Sequence, residues 1–123
     1  MALVKRFEEL ICWQKARELT NLVYDYTELD AFSKDYGLRN QIRRAAGSSM
    51  HNIAEGFDAG SRNEFARFLR MARRSASEVQ SQLYLAMDRA YITSKQREVA
   101  HNLADEVKPM INSLHKRLTD TKA

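Results

Sequence analysis

Arg62 to Ala90 reads RNEFARFLRMARRSASEVQSQLYLAMDRA, and within it Phe65, Leu69, Ala72, Ala76, Val79, Leu83, Ala86 and Ala90 recur at alternating steps of four and three. Only a helix places such residues on one face, and alternation sustained in this way gives a coiled-coil-like seam. The small residues at 72, 76, 86 and 90 let a second helix approach closely. At ~1.5 Å per residue the segment spans roughly 43 Å, so it sets the length of a long, thin bundle. Ser61 precedes it, with Glu64 three residues later, the capping-box spacing.

The rest of the chain supplies partners for that helix. A first helix is predicted over about 7–29, with Leu10, Trp13, Ala16, Leu19, Val23 and Tyr26 inward, and the stretch from Phe32 to Gly37 breaks its pattern. A second runs over about 38–57, with Leu38, Ile42, Ala45, Ser49 and Ile53 on one face and Gly47 placed where a neighbouring helix could come close. The seam helix, over 62–90, is third. A fourth is expected over about 94–118 along Val99, Leu103, Val107, Met110, Leu114 and Leu118, kinked at Pro109. Asp120 to Ala123 read as a tail. Four Gly and one Pro are few punctuators for a β-rich chain. The prediction is a single all-α domain over residues 1–123, an up-and-down antiparallel four-helix bundle.

Composition narrows the function classes. The start of the chain, MALVKRFEELICWQKA, is too often interrupted by charge to hold the apolar region of a signal peptide, and no run of 18 apolar residues occurs. A cytoplasmic protein without membrane association is expected, and the single Cys12 suits a reducing compartment. Neither a catalytic residue nor a metal or cofactor site is assigned. Glu98 and His101 make one Glu-x-x-His element without a second copy, and His51, His101 and His115 lack zinc-ligand spacing. Ser48 and Ser49 lie in AAGSSM, which is not a nucleophile elbow, and no phosphate loop or dinucleotide fingerprint is present.

Two other patterns are informative. In Gln41 to Gly56, QIRRAAGSSMHNIAEG, the residues Gln41, Arg44, Ser48, Asn52 and Glu55 fall at helical spacing and form a polar stripe. Ser75, Glu78 and Gln82 make a matching row on the third helix, so a polar seam between the two, with Arg44 against a carboxylate, is expected to fix register within the bundle or between subunits. A ligand or catalytic site is the competing reading of the same stripe. The second pattern is charge. Residues 39–74 hold eight Arg and no Lys against Glu55, Asp58 and Glu64, whereas the whole chain is only +4. Arg39, Arg43, Arg67, Arg70, Arg73 and Arg74 are therefore the candidate contacts to RNA or DNA phosphate, which the planar guanidinium grips with two hydrogen bonds. The plainer reading is a solvated helix face, and no aromatic residues visibly interleave with these arginines along the sequence.

Taken together, Phe7-Glu8-Glu9-Leu10, Trp13-Gln14-Lys15-Ala16, Tyr36-Gly37-Leu38, Gln41-Ile42-Arg43-Arg44-Ala45-Ala46, Asn52-Ile53-Ala54-Glu55-Gly56, Glu64-Phe65 and Arg67-Phe68-Leu69 resemble the four-helix-bundle proteins of the 23S rRNA intervening-sequence family. The resemblance spans nearly the whole chain. Ala59 departs from the Arg usual in the turn after AEG, and Arg74 from a common Gly. The resemblance implies an up-and-down protomer, a ring-like homo-oligomer that is most often a pentamer, and no known enzymatic activity. A similar fold occurs in the accessory protein of diversity-generating retroelements, a basic pentamer that associates with nucleic acid and a reverse transcriptase. That link is analogy by fold alone. The function expected is a non-enzymatic homo-oligomer that binds a nucleic-acid backbone, with a protein-interaction scaffold as the alternative.

Overall fold

The structure, a computed structural model, describes residues 4–120. A single 3₁₀ turn, Phe7–Glu9, leads into α1 (Ile11–Thr27), then a short α2 (Asp30–Lys34), α3 (Tyr36–Asp58), α4 (Arg62–Asp88) and α5 (Ser94–Thr119). The four long helices pack in the cyclic order α1, α3, α4, α5, each against the next and α5 back against α1. Among the described residues there is no strand. The predicted antiparallel four-helix bundle is what forms.

The helix ends differ from the sequence reading for local reasons. The first helix is shorter than 7–29, because extended backbone at Leu10 separates the 3₁₀ turn from α1. The expected break at 32–37 is mostly helical: α2 occupies part of it, and α3 begins at Tyr36 because the Asp35 side chain caps it by accepting the Leu38 N–H at 3.1 Å. At the same end of the bundle Ala90, expected as the last seam residue, is exposed with φ 62° beyond the end of α4. Ser61 caps α4 as predicted, accepting the Glu64 N–H. The full reciprocal capping box is at Thr93 and Gln96, at the start of α5. Pro109 lies within α5, and the helix continues on both sides of it. Of the expected tail, Asp120 donates its N–H to the Lys116 carbonyl, and 121–123 lie outside the described residues.

The core forms two clusters. One, around Leu19, Val23, Phe32, Ile42, Leu83 and Ala104, fills the end near α2. The other, around Leu10, Ala16, Ile53, Leu69, Val107 and Ile111, fills the opposite end. Every predicted seam residue from Leu69 to Ala86 is buried. The inward face of α5 is broader than its prediction: Val107 is buried and Leu103, Met110, Leu114 and Leu118 pack against the core as expected, Ala100, Ala104 and Ile111 join them, and Val99 is 45% exposed. Small alanines at 100 and 104 carry that face where α4 presents Val79 and Leu83, so bulk alone was a misleading guide to the inward side.

Gly56, rather than Gly47, permits close helix approach. A Cβ built on Gly56 would come within 2.7 Å of Phe68 Cβ and 3.0 Å of Phe65 Cδ1, so α3 meets α4 backbone to side chain there. On Gly47 it would meet only His51 of the same helix, at 3.6 Å.

Candidate functional site

Beyond their apolar contact, α3 and α4 leave an open groove in two connected parts of about 280 and 300 Å³. Ser48, Asn52, Met71, Arg74, Ser75 and Glu78 line one part; Gln41, Arg44, Ala45, Ser48 and Glu78 line the other. The two polar rows expected from the sequence thus do border one surface, with Glu55 and Gln82 outside the lining. They do not bond to one another across it. Asn52 Nδ2 donates to the Ser48 carbonyl of its own helix at 2.9 Å. Among the described residues Arg44, Glu55, Arg74 and Glu78 make no hydrogen bond or ion pair, and Gln82 Oε1 is buried with no partner. The predicted contact of Arg44 with a carboxylate is not made among the described residues. Arg44, Glu55 and Glu78 are exposed and keep their hydration, because drying an ion pair costs more than imperfect geometry returns.

The arginines fall on two different faces. Arg43 Nε donates to Thr27 Oγ1 at 2.7 Å and its guanidinium lies 4.5 Å from the Tyr24 ring; Arg39 Nη1 donates to the Ser33 carbonyl at 3.0 Å and lies 4.8 Å from the Tyr36 ring. These two therefore lie beside α1 and α2. Arg70 and Arg73 lie against α5, Arg70 Nη1 being 3.3 Å from His115 Nε2 and Arg73 Nη1 donating to Asn112 Oδ1 at 3.0 Å. Arg67 is held by Glu64, Nη2 to Oε1 at 2.8 Å, and that contact keeps the Glu64 carboxyl below and the Arg67 guanidinium above its ordinary value. Arg74 lines the groove. The six predicted phosphate contacts are thus divided, Arg39 and Arg43 on one side and the α4 set on the other.

Aromatic rings do accompany the arginines, contrary to the sequence reading. Besides the two pairs above, Arg17 lies over Trp13, Arg67 over Phe68 and Arg97 over Tyr84, at 4.7 to 5.7 Å. Tyr24 comes from α1 while Arg43 is on α3, so the chain order hides their pairing.

Sequence reasoning also missed what α5 adds. Its last turns bring Asn112, His115, Lys116 and Arg117 to the end of the bundle where α4 begins. Over 62–74 and 112–120 there are seven cationic side chains against Glu64 and Asp120. The signal was available as Lys and Arg in a last helical turn, which the helix dipole favours in any protein. A second omission is a network on the same seam. Gln80, 7% exposed, donates from Nε2 to Asp105 Oδ1 at 2.8 Å and to the His101 carbonyl at 3.1 Å, and accepts from Lys108 Nζ at 2.9 Å.

Among the described residues no cluster of three or more His, Cys, Asp or Glu comes together to hold a metal, and no helix is long and apolar enough to cross a membrane. Cys12 is 4% exposed, and burial pushes its thiol up to about 11.

No curated protein matches the chain. Among solved structures it is similar to a protein of unknown function from the S23 ribosomal protein family of Bacteroides thetaiotaomicron, at 30% identity with a TM-score of 0.79, over 86% of this chain and 96% of that one. The model of the family described as 23S rRNA-intervening sequence protein matches residues 8–113. A match over that length, on the fold described above and with the NIAEG element packed at the α3–α4 contact, places this chain in the 23S rRNA-intervening sequence protein family.

Proposed function

We propose that this protein is a non-enzymatic homo-oligomer that binds the phosphate backbone of RNA or DNA through the basic end formed by α4 and α5. The observation that carries this reading is the state of Arg70 and Arg73. Both are exposed, and their partners in the chain are His115 and Asn112 rather than carboxylates. Each guanidinium keeps free N–H donors in a fixed place, which suits a phosphate oxygen. Lys116 and Arg117 extend the same field, and assembly multiplies it by copy number.

The test is retention of structured RNA by purified protein across a salt series. Binding is expected to weaken steeply with salt, and Arg70→Glu with Arg73→Glu to weaken it further and flatten the salt slope by about one per cation removed. Absence of binding at low salt refutes the proposal.

A second reading is favoured by the α3–α4 groove, whose Arg44, Arg74 and Glu78 have no hydrogen-bond or ion-pair partner among the described residues. We propose that these groups meet another subunit, which makes the protein a scaffold whatever it binds. Asn52→Leu with Glu55→Leu is then expected to lower the mass found by light scattering, while Arg70→Glu leaves it unchanged.

A further inference from the structure

The α1–α3 face carries two ring–guanidinium pairs side by side. Arg39 and Arg43 are one turn apart on α3, about 6 Å between their Cβ atoms, and each covers a tyrosine, Tyr36 and Tyr24 respectively. Even with a guanidinium on it, Tyr36 is 65% exposed and Tyr24 42% exposed. Nothing in the packing of the bundle requires two large rings to stand in water there. Both pairs are also held in place from behind. The Arg43 Nε donates to Thr27 Oγ1, and that buried hydroxyl donates in turn to the Tyr24 carbonyl at 2.9 Å. A fully buried threonine therefore ties Arg43 to the backbone of the residue whose ring it covers. Arg39 is held by the Ser33 carbonyl of α2, which accepts from its Nη1.

We propose that this face binds unpaired nucleotides, their bases stacking on the Tyr24 and Tyr36 rings or on the guanidinium planes above them. The proposal rests on the nucleic-acid reading above and assigns a second site to it, on the side of the bundle away from Arg70 and Arg73. Stacking on aromatic and guanidinium planes is the recurring way proteins hold single strands, because every base offers a flat face. Rings and arginines already ordered lose little freedom on binding. The nearby carboxylates Asp25, Glu28 and Asp30 limit phosphate attraction here, so stacking supplies the main part of the affinity. The two sites then differ in kind: the α4–α5 end responds to salt, and the α1–α3 face responds to strandedness.

The experiment compares a labelled oligothymidylate with a duplex of the same length, by fluorescence anisotropy, on the full-length protein. Tyr24→Ala and Tyr36→Ala are each expected to weaken single-strand binding about tenfold, a typical loss for one stacked base, and to leave duplex binding and its salt slope unchanged. Tyr24→Phe and Tyr36→Phe keep the stack and are expected to retain the affinity. Both rings are surface groups, and unchanged thermal melting confirms that the alanine variants fold. Equal affinity of the wild type for single strand and duplex overturns this site, as does single-strand binding untouched by loss of both rings; either result leaves the basic end standing. A fall in oligomer mass on loss of the rings, with nucleotide binding intact, also overturns it and makes the face a contact between proteins. Absence of all nucleic-acid binding by the wild type overturns both.

Discussion

Helix α4 is bordered by two seams of similar length that are finished in different ways. Towards α5 its polar groups are satisfied across the contact: Gln80 joins His101, Asp105 and Lys108, Arg73 reaches Asn112, and Arg70 reaches His115. Towards α3 the apolar contact is closer, down to Gly56 against Phe68, yet among the described residues Arg44, Arg74 and Glu78 along its rim bond to nothing and Gln82 Oε1 is buried alone. A buried unpaired acceptor costs about 1–3 kcal/mol. One seam is therefore satisfied within the chain, and the other carries polar groups that find no complement among the described residues.

The largest effect that separates the seams is expected at Gly56. Gly56→Ala gains about 1 kcal/mol of helix propensity but forces α3 from α4 by the length of a methyl group, and overpacking of this kind costs typically 1–3 kcal/mol. Extension to Gly56→Val adds bulk the contact cannot absorb. Urea unfolding is expected to show net destabilisation that grows from Ala to Val. A neutral result at both would mean that the α3–α4 contact yields easily and does not define the groove.

Next comes Gln80→Ala on the completed seam. Loss of the side-chain amide leaves Lys108, Asp105 and the His101 carbonyl to water, and a destabilisation of about 1–2 kcal/mol is expected. Glu78→Ala, two residues earlier on the open seam, is expected to change monomer stability by less than about 0.5 kcal/mol. Equal costs at the two positions would erase the distinction between the seams.

How far the sequence reveals these seams depends on which element sets each one. The α4 seam was legible because its residues are large and small in a strict repeat, and a helix buried on one side must show that repeat. On its partner α5 the inward face is wider than the bulky residues mark, since Ala100 and Ala104 also lie inward and Val99 does not. An alanine face is invisible to a search for bulk. The polar rows bordering the groove were also legible, because steps of three and four assign residues to a face whatever their chemistry. Their bonding was not, because spacing along one helix says nothing of the distance to the next. The same limit hid the pairing of Tyr24 with Arg43 and of Gln80 with Lys108, each joined only by tertiary register.

A smaller effect, of opposite sign, is expected at Gly47. A Cβ there meets only His51 at ordinary contact distance, so Gly47→Ala is expected to stabilise the protein by up to about 1 kcal/mol, read as a raised urea midpoint. Contrast with Gly56 makes the pair a direct measure of where α3 is close to its neighbour.

The smallest effect concerns pH. The Asp35 carboxyl is held below its ordinary value of 3.8, first by the Leu38 N–H it accepts and then by the Tyr91 hydroxyl, which donates to it at 2.9 Å. A carboxyl lowered in the folded state contributes stability that is present above its unfolded value and is lost as pH falls through the folded one. Asp35 joins the start of α3 to the turn after α4, at the end of the bundle where Phe32 stacks on Tyr91. Acidification below about pH 4 is therefore expected to lower the melting temperature of the wild type by more than that of Asp35→Asn, which keeps an acceptor for the Leu38 N–H but has no charge to lose. The same slope in both proteins would show that the tie between those two turns rests on the ring stack, and that α4 is anchored at this end by packing alone.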